Sequence, residues 1–431
     1  MIKQIIKSLN SNTEVSDWKI VEKTSKSTEQ FYVLQKLETT RRTNIKEYEL
    51  TIYHEYKEDG NDYLGQASVI INHKMSSKDL DELISQTLFS AKFVKNQYYE
   101  LPSTNDGKKN YKSKPITDNI YQSLNSIADE FFKVSKEDCK FNAVELFFYE
   151  DITHIITSKG INLTKNLYNI MVEAIPSFDG EEKVELYKSY NYDTIDLEKV
   201  RQDAQSALDD VTTRYKSWTN SQVENKLANV KNIDVIIRNG EVKELFWSII
   251  EDYSYNSVYL NMADKQIGDM LQENIKGDKL NISLVPSSKK DAFDKDGILL
   301  NPIKIVEDGK LINNFGGVQS AYYLGIKKPS GIMKTISVDK GKTPYEKLTK
   351  KPHIEVITMS GLQIERLAHY IGGEVRLAVY FDGKDYYPVS GFTFSGNFDN
   401  VLSTLKLSKE TTSIKEYKGP KYVLLNNMEI L

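Results

Sequence analysis

Hydrophobic residues in the first half of the chain repeat with helical spacing in some stretches and with strand character in others. The opening segment, MIKQIIKSLNS, spaces isoleucine and leucine like one helix face and interrupts them with lysines. This pattern predicts a short amphipathic helix packed on its own domain, rather than a signal peptide. Predicted strands rich in aromatic and β-branched residues follow at Trp18 to Val21, Gln30 to Leu37, Tyr48 to Tyr56 and Tyr63 to Asn72. Asp59-Gly60 is the turn signal between the last two of these strands.

Two helices and a second group of strands complete this half. Apolar stripes predict helices from Ser77 to Lys92 and from Thr117 to Val134. Further strands are predicted at Phe141 to Tyr149, Ile152 to Thr157, Leu163 to Ile175 and Glu182 to Asn191. The charged segment from Leu197 to Trp218 has no glycine or proline and lies between two strand-rich regions, so we predict a helix that connects two domains.

The second half consists mainly of short strand-like segments separated by glycine turns. A strand is predicted from Ile233 to Arg238, before Asn239-Gly240, and the type of the segment from Glu241 to Met262 is left open. The dipeptides Asp296-Gly297, Asp308-Gly309 and Asp382-Gly383 supply positive φ between strands, and they therefore indicate a sheet-rich fold.

These patterns predict an α+β protein of two domains. We place an N-terminal domain of mixed strands and helices at 1–192 and a connecting helix at 193–225. A β-rich domain, barrel-like or sandwich-like with short helices, is expected at 226–431.

Composition narrows the class of protein. The 431 residues are 39% hydrophobic and 27% charged, which is typical of a folded globular chain. The 57 basic and 61 acidic residues give a net charge of −4, which argues against nucleic-acid binding. No run of residues is apolar and long enough for a transmembrane helix. A single cysteine, Cys139, excludes an internal disulfide and fits a cytoplasmic location, which we expect.

The sequence lacks the motifs of common catalytic sites. There are five histidines, and the one His-Glu dipeptide, His54-Glu55, has no second histidine one helical turn later. Glu365 and His369 are spaced i, i+4, and we interpret them as an ordinary pair on a helix surface. No Gly-x-Ser-x-Gly elbow and no phosphate-binding glycine loop is present, so we predict no catalytic residue.

Glycine and small-residue motifs give a resemblance to one family. The segment from Ala292 to Gly325 has an "fD-x-eG" element, an "ie-x-G-x-L" element and an alanine-leucine-glycine helix end, formed here by Phe293, Asp294, Asp296, Gly297, Glu307, Gly309, Leu311, Ala321, Leu324 and Gly325. Further elements are PVSGFTFSGNFDNVL, from Pro388 to Leu402, and the ending GPKYVLLNNMEIL. Weaker matches in the N-terminal half are Gly65, Ala67, Ser68, Ala91-Lys92 and Leu101-Pro102. In this order the motifs resemble those of the TldD/PmbA family, once called modulators of DNA gyrase.

The resemblance implies a metallopeptidase-related fold without its metal site. Catalytic members of the family carry an HExxxH zinc helix in mid-chain and a cysteine ligand nearer the C-terminus. The corresponding stretch here, from Glu241 to Asp264, contains no histidine, and no cysteine follows Cys139. The chain therefore resembles the PmbA, or TldE, branch, which implies a non-catalytic subunit. Its expected partner is a TldD-like catalytic subunit, in a heterodimer that acts on peptides, and a homodimer is the alternative; zinc is expected only in the catalytic partner.

Two other interpretations remain open. One is a hydrolase with an unusual site built from Glu365, His369 and His353. The other is a peptide-binding or scaffold protein that acts without a peptidase partner.

The glycine-flanked stretch near the C-terminus is the first candidate for a peptide-facing surface. It comprises Gly391, Phe392, Thr393, Ser395, Gly396 and Asn397, where backbone could approach a ligand closely. The alternative is a tight junction required for packing. We expect the aromatic residues in the place of the zinc helix to be core residues, although they could instead fill the former site or form an interface; they are Phe246, Trp247, Tyr253, Tyr255 and Tyr259.

Overall fold

The computed structural model describes residues 1–104, 107–219, 227–238 and 240–431. The residues outside these ranges include the end of the predicted connecting segment, from 220 to 225, and Asn239 of the Asn-Gly turn. The helices are α1 (Ile2–Asn10), α2 (Ser77–Ala91), α3 (Ile120–Lys133), α4 (Leu197–Thr219), α5 (Gly240–Ile250), α6 (Tyr255–Tyr259), α7 (Val318–Tyr323), α8 (Tyr345–Leu348) and α9 (Phe398–Thr404). A single 3-10 turn, Glu251–Tyr253, joins α5 to α6.

The strands of the first half are β1 (Asp17–Val33), β2 (Lys36–Glu58), β3 (Asn61–Asn72), β4 (Lys109–Lys112), β5 (Cys139–Thr157), β6 (Asn162–Asp179), β7 (Lys183–Glu185) and β8 (Lys188–Tyr192). Those of the second half are β9 (Asn232–Arg238), β10 (Ile282–Val285), β11 (Ile303–Glu307), β12 (Lys310–Leu311), β13 (Thr335–Val338), β14 (His353–Glu365), β15 (Tyr370–Phe381), β16 (Tyr386–Val389), β17 (Phe392–Asn397), β18 (Lys406–Leu407), β19 (Thr411–Ile414), β20 (Tyr417–Pro420) and β21 (Tyr422–Ile430).

The N-terminal strands form one long sheet in the order β3-β2-β1-β5-β6-β4, with β7 and β8 also paired to β6. The helices cover one face of this sheet. The helices α1 and α2 pack over β1, β2 and β3 around residues such as Ile20 and Leu50. The helices α3 and α4 pack over β5 and β6 around residues such as Leu146 and Val172. The residues that alternate with these, such as Val21 and Ile155, point to the opposite face, which is left for the second domain.

Helix α4 begins where the sequence predicted a connecting helix, and it also belongs to the N-terminal core. Its apolar side is buried with α3 and the sheet through Val200, Ala204, Leu208 and Val211. Its Asp210 accepts hydrogen bonds from Lys188 and from Arg238 of β9, both at 2.7 Å. The helix therefore contacts both halves of the chain and is packed through its apolar side, instead of crossing solvent.

The observed strands differ from the sequence expectations in three respects. β1 and β2 form a hairpin whose turn is Leu34-Gln35, with φ of 46° and 68°, so the predicted strand from Gln30 to Leu37 is wrong at its centre. This turn requires positive φ, which glycine and asparagine favour, so Leu-Gln gave no signal for it. Conversely, the strands predicted on either side of Glu150 are one continuous strand, β5.

The third difference corrects the helix interpretation of Glu365 and His369. β14 ends at Glu365, and a tight turn leads into β15, with His369 at φ 51°. The two residues therefore lie on a hairpin and not on one face of a helix. The i, i+4 spacing was misleading because a charged turn between two strands can match helical spacing over one period.

The C-terminal half is a closed barrel beside a second sheet. Strands β14, β9, β21, β17 and β15 pair in that order, and β14 also pairs with β15, which closes the ring. In addition, β16 pairs with β15, and β18 pairs with β21. The second sheet has the order β12-β11-β10-β13-β20-β19. One large core, which includes Phe246, Ile282 and Phe394, unites both sheets with α5 and α9.

The α+β class and the β-rich second half predicted from the sequence are confirmed. None of the helices in the described ranges combines the length and hydrophobicity that crossing a bilayer requires.

Candidate functional site

A groove of about 630 Å³ lies between the two domains. Its floor is the helix-free face of β1, β2 and β3, with side chains such as Val21, Thr51 and Tyr53. Its opposite wall comes from the second domain, from the Lys295-Asp296 turn and from the start of α7. A volume of this size is typical of a site for a small ligand or a short stretch of peptide.

Two apolar contacts between the domains bound the groove. On one side, Phe293 of the second domain is buried among Val21, Ile155, Ile161 and Leu163 of the first. On the other side, a cluster around Tyr53 and Tyr99 packs against Val318 and Tyr323 of α7. The Tyr323 hydroxyl donates a hydrogen bond of 2.5 Å to the Gln97 carbonyl. The groove is therefore held open between two anchored ends.

A salt bridge crosses the groove between these ends. Lys19 Nζ on β1 lies 2.6 Å from Asp296 Oδ1 on the opposite wall, and their side chains are 13% and 22% exposed. Because both groups are largely shielded from water, their attraction is stronger than that of an exposed pair. The pair fixes the position of the Lys295-Asp296 turn relative to the floor.

Polar side chains of the floor are paired with one another and present hydroxyl and amide groups to the groove. Tyr99 donates to Gln66 Oε1 at 3.0 Å, and the Thr51 and Ser68 hydroxyls lie 2.8 Å apart. Burial raises the pKa of both Tyr53 and Tyr99, so these phenols stay neutral and act as donors. Such groups suit the hydrogen bonding of a peptide, which offers both donors and acceptors.

The helical segment that replaces the expected zinc helix is closed by an arginine cluster. Tyr253, which is fully buried, donates to Asp264 Oδ1 at 2.9 Å. Arg366, from the turn between β14 and β15, donates to the same oxygen at 2.7 Å and to the Tyr253 hydroxyl. The same guanidinium donates to the Ile249 carbonyl at 3.1 Å and lies over the Tyr253 ring, 4.7 Å from its centroid.

This donor set does not fit the zinc that catalytic members of the resembling family hold. The Asp264 carboxylate is already paired with a guanidinium. Zinc sites in proteins take three or four ligands from histidine, cysteine and carboxylate side chains. Within the described ranges, no group of three or more histidine, cysteine, aspartate or glutamate side chains is placed to hold a metal ion. The arrangement around Tyr253 is a hydrogen-bonded core feature.

Most of the aromatic residues of this segment are core residues, as the sequence predicted. Phe246, Tyr253 and Tyr255 are buried, and Trp247 is partly buried against the same core. Tyr259 differs, since its side chain is 40% exposed and its ring lies 5.0 Å from that of Tyr323.

The histidine and glutamate residues of the alternative hydrolase site are not brought together. His353 begins β14 and is buried, with Nδ1 2.8 Å from the Lys351 carbonyl. Glu365 ends the same strand twelve residues later, so His353 and Glu365 lie at opposite ends of β14. His369 lies in the turn that follows Glu365 and faces Asp399 at 2.6 Å on the surface. His353 is therefore separated from the other two, and a site built from all three is not formed.

The predicted peptide-facing segment forms β17, a strand of the barrel wall with a paired neighbour on each side. Gly391 precedes the strand with φ 73°, and the strand pairs with β15 and β21 on its two sides. A Cβ on Gly396 would lie 2.8 Å from Met428 Cε, and the Asn397 side chain caps α9 by accepting from the Asn400 amide. The remaining three, Phe392, Thr393 and Ser395, lie in the same paired strand. Peptide binding there stays a prediction, and the packing role predicted as its alternative matches these contacts.

The groove residues were not among the sequence candidates. They belong to four strands, two short helices and connecting segments far apart in the chain. A few had a signal in the sequence: Asp296 lies in the "fD-x-eG" element, and Ser68, Leu101 and Pro102 lie in the weaker matches of the N-terminal half.

Comparison with known proteins identifies the C-terminal half of the chain. Residues 230–431 match the model of the PmbA/TldA metallopeptidase C-terminal domain. No curated protein matches the sequence.

Solved structures share the fold over the full chain. TldE from Thermococcus kodakarensis is 13% identical with a TM-score of 0.76, covering 100% of this chain and 99% of that one. A proposed modulator of a DNA gyrase from Thermotoga maritima is 12% identical with a TM-score of 0.73, covering 100% of both chains. A proposed modulator of DNA gyrase from Bacteroides thetaiotaomicron is 14% identical with a TM-score of 0.76, covering 99% of this chain and 97% of that one. The resemblance predicted from the glycine motifs is thereby confirmed: residues 230–431 carry the C-terminal domain of the PmbA/TldD family, and the full chain shares its fold with TldE and the two modulator proteins.

Proposed function

We propose that this chain is a non-catalytic, TldE-type subunit of a peptidase complex, and that it holds peptide in the groove between its domains. The family-model match over residues 230–431 supports a metallopeptidase-related role, and the fold is shared with a protein described as TldE. The catalytic partner is a TldD-like subunit that carries HExxxH and holds the zinc. This chain holds none, and the peptide passes through a space that both subunits line.

The Tyr253, Asp264 and Arg366 cluster is the observation that carries the proposal. It occupies the segment in which a catalytic relative needs its metal ligands, and it uses the available carboxylate for an arginine. Zinc hydrolysis requires ligands for the ion and a base beside its water. The cluster provides neither, so the segment serves packing.

Peptide holding is supported by the lining of the groove. The floor offers strand side chains with hydroxyl and amide groups, and apolar side chains such as Val21, Leu101 and Ile332 lie among them. A mixed lining of this type accommodates varied side chains and still provides hydrogen bonds. A cytoplasmic location is part of the proposal, because the one cysteine cannot form an internal disulfide.

The test is to assay the purified full chain alone and together with an HExxxH-bearing family member from the same source. Cleavage of a quenched fluorescent peptide is expected only in the mixture, and metal analysis of the single chain is expected to give less than stoichiometric zinc. Steady cleavage by the single chain through repeated purification, with loss on chelation, would overturn the proposal. Cleavage by the HExxxH member that does not change when this chain is added would instead favour a stand-alone binding role.

A further inference from the structure

We infer that the groove between the domains selects peptides that bring a carboxylate, and that Lys295 is the residue that receives it. This inference rests on the proposed function, since it names the class of peptide that the proposed site binds. A carboxylate can come from an acidic side chain or from the free C-terminus of the peptide, and the experiment below separates these two sources.

The groove has a charge opposite to that of the whole chain. Its lining contains four lysines, Lys19, Lys23, Lys159 and Lys295, and two carboxylates, Glu49 and Asp296. The chain as a whole carries a net charge of −4. A cleft lined mainly by one sign of charge attracts ligands of the opposite sign.

The other two described cavities have balanced linings. The cavity of about 410 Å³ near β19 has three lysines and three carboxylates, which are Lys114, Lys415, Lys418, Asp151, Asp193 and Glu416. The cavity of about 620 Å³ beneath β4 has Lys108 and Lys112 against Glu22 and Glu150. The excess of positive charge in the lining of the groove is therefore not shared by these two cavities.

Three of the four groove lysines have carboxylate partners. Lys19 pairs with Asp296 at 2.6 Å, and Lys23 pairs with Glu49 at 2.8 Å. Lys159 pairs with Asp17 at 3.0 Å. Among the described residues, Lys295 has no carboxylate within ion-pair distance, and its side chain is exposed to the groove.

The position of Lys295 is fixed from both sides. Asp294 accepts hydrogen bonds from the backbone N–H groups of Asp296 and Ile298, at 2.9 and 3.0 Å, and from that of Ile332 at 3.0 Å. The next residue, Asp296, is held by Lys19. Lys295 therefore stands on a turn whose backbone is held in place, and less backbone freedom is lost when its side chain binds a carboxylate in the groove.

The experiment measures peptide binding to the full chain by fluorescence anisotropy. Four labelled octapeptides differ only in charge: a glutamate-containing, a glutamine-containing and a lysine-containing peptide, all amidated, and the glutamine peptide with a free C-terminus. The variants are Lys295→Glu and, as a control of equal charge change, Lys57→Glu. Lys57 lies near the end of β2 outside the groove, and its side chain is 78% exposed.

The expected result is an affinity order of glutamate above glutamine above lysine for the amidated peptides. An exposed charge pair contributes a factor of roughly two to five in affinity, so Lys295→Glu is expected to remove most of the preference for glutamate. The Lys57→Glu control is expected to retain it. A gain for the free C-terminus that Lys295→Glu abolishes would identify the terminal carboxylate as a source as well.

Two outcomes would overturn the inference in different ways. Equal binding of all four peptides, or a preference that Lys295→Glu leaves intact, contradicts carboxylate selection and keeps peptide holding. Failure of every peptide to bind contradicts peptide holding itself, and carboxylate selection with it. Circular dichroism of each variant verifies the fold, and the substituted side chains are on the surface, where such changes have small effects on stability.

Discussion

Lys165 of the N-terminal domain donates a hydrogen bond of 2.7 Å to the Phe293 carbonyl of the C-terminal domain, and its ammonium lies 4.8 Å from the centroid of the Phe293 ring. The same lysine pairs with Asp291 at 2.5 Å. The "fD-x-eG" element thus forms a contact between the two domains and positions the wall of the groove. Its chemistry explains the motif as a structural one, in which Phe293 supplies the buried ring and Asp294 holds the turn.

Replacing Phe293 with alanine is expected to destabilise the protein by about 3–5 kcal/mol, because it removes a fully buried ring and leaves a cavity between the domains. Urea unfolding followed by fluorescence measures the change. Phe93→Ala is the matched control, since that ring is 70% exposed and its loss is expected to cost little. Equal effects of the two substitutions would contradict the packing role of Phe293 between the domains.

Replacing Arg366 with methionine is expected to lower stability by about 2 kcal/mol. The substitution removes the cationic partner of the Asp264 carboxylate, which keeps only the Tyr253 hydroxyl of this cluster as a donor, and it removes the guanidinium donor of the Ile249 carbonyl. Removing one partner of a shielded charge pair is costly. The estimate is below that for a fully buried pair because Asp264 is 32% exposed. Arg376→Met is the control, since Arg376 is 63% exposed and its ion pair with Glu374 is long, at 3.4 Å. Thermal unfolding of both variants provides the comparison, and a loss that is no larger for Arg366 would show that the cluster contributes little.

Stability is expected to fall with rising pH in a window set by Glu241, at the start of α5. Burial raises the pKa of this carboxyl from its ordinary value of about 4.5 to about 7. Between these values the folded protein keeps a proton that the unfolded chain has released, so each step upward in pH favours the unfolded chain. Glu241→Gln removes this dependence.

Free energies of unfolding measured between pH 4.5 and 8 test this prediction. The slope of the Glu241→Gln variant is expected to be less negative across the window than that of the unsubstituted chain. Glu82→Gln, on the exposed face of α2, is expected to leave the slope unchanged. Parallel curves for all three proteins would contradict the assigned role of Glu241.

Gly65→Ala is expected to be severely destabilising, although alanine is only one methyl group larger. A Cβ at this position would lie 2.1 Å from the Ala91 carbonyl oxygen, where β3 approaches the end of α2. Such an overlap requires backbone movement, for which costs of about 1–3 kcal/mol or more are typical. Gly240→Ala is the control, because nothing lies within 4 Å of a Cβ there. Comparable melting temperatures for the two variants would show that β3 and α2 can separate without loss.

Local spacing was sufficient for a large part of the fold. The amphipathic start, the two covering helices and the Asp-Gly turns follow from residues within one or two turns of each other, and they appear in the structure as α1, α2, α3 and the positive φ of Asp308 and Gly309. Local residue patterns did not predict every turn. The Leu34-Gln35 turn and the hairpin at His369 lack turn-type residues, and the pairing of the strands on either side imposes their conformation.

The sequence by itself determined the resemblance to the TldD/PmbA family, the α+β class and the absence of histidine between Glu241 and Asp264, because each depends on residue identity or short-range order. Only the tertiary structure decided where a peptide could lie. The groove combines Lys19 with Asp296, which are 277 residues apart, and the cluster at Tyr253 depends on Arg366, 113 residues further along the chain. Contacts over such separations result from how strands pair and domains dock, and no local pattern of residues encodes them.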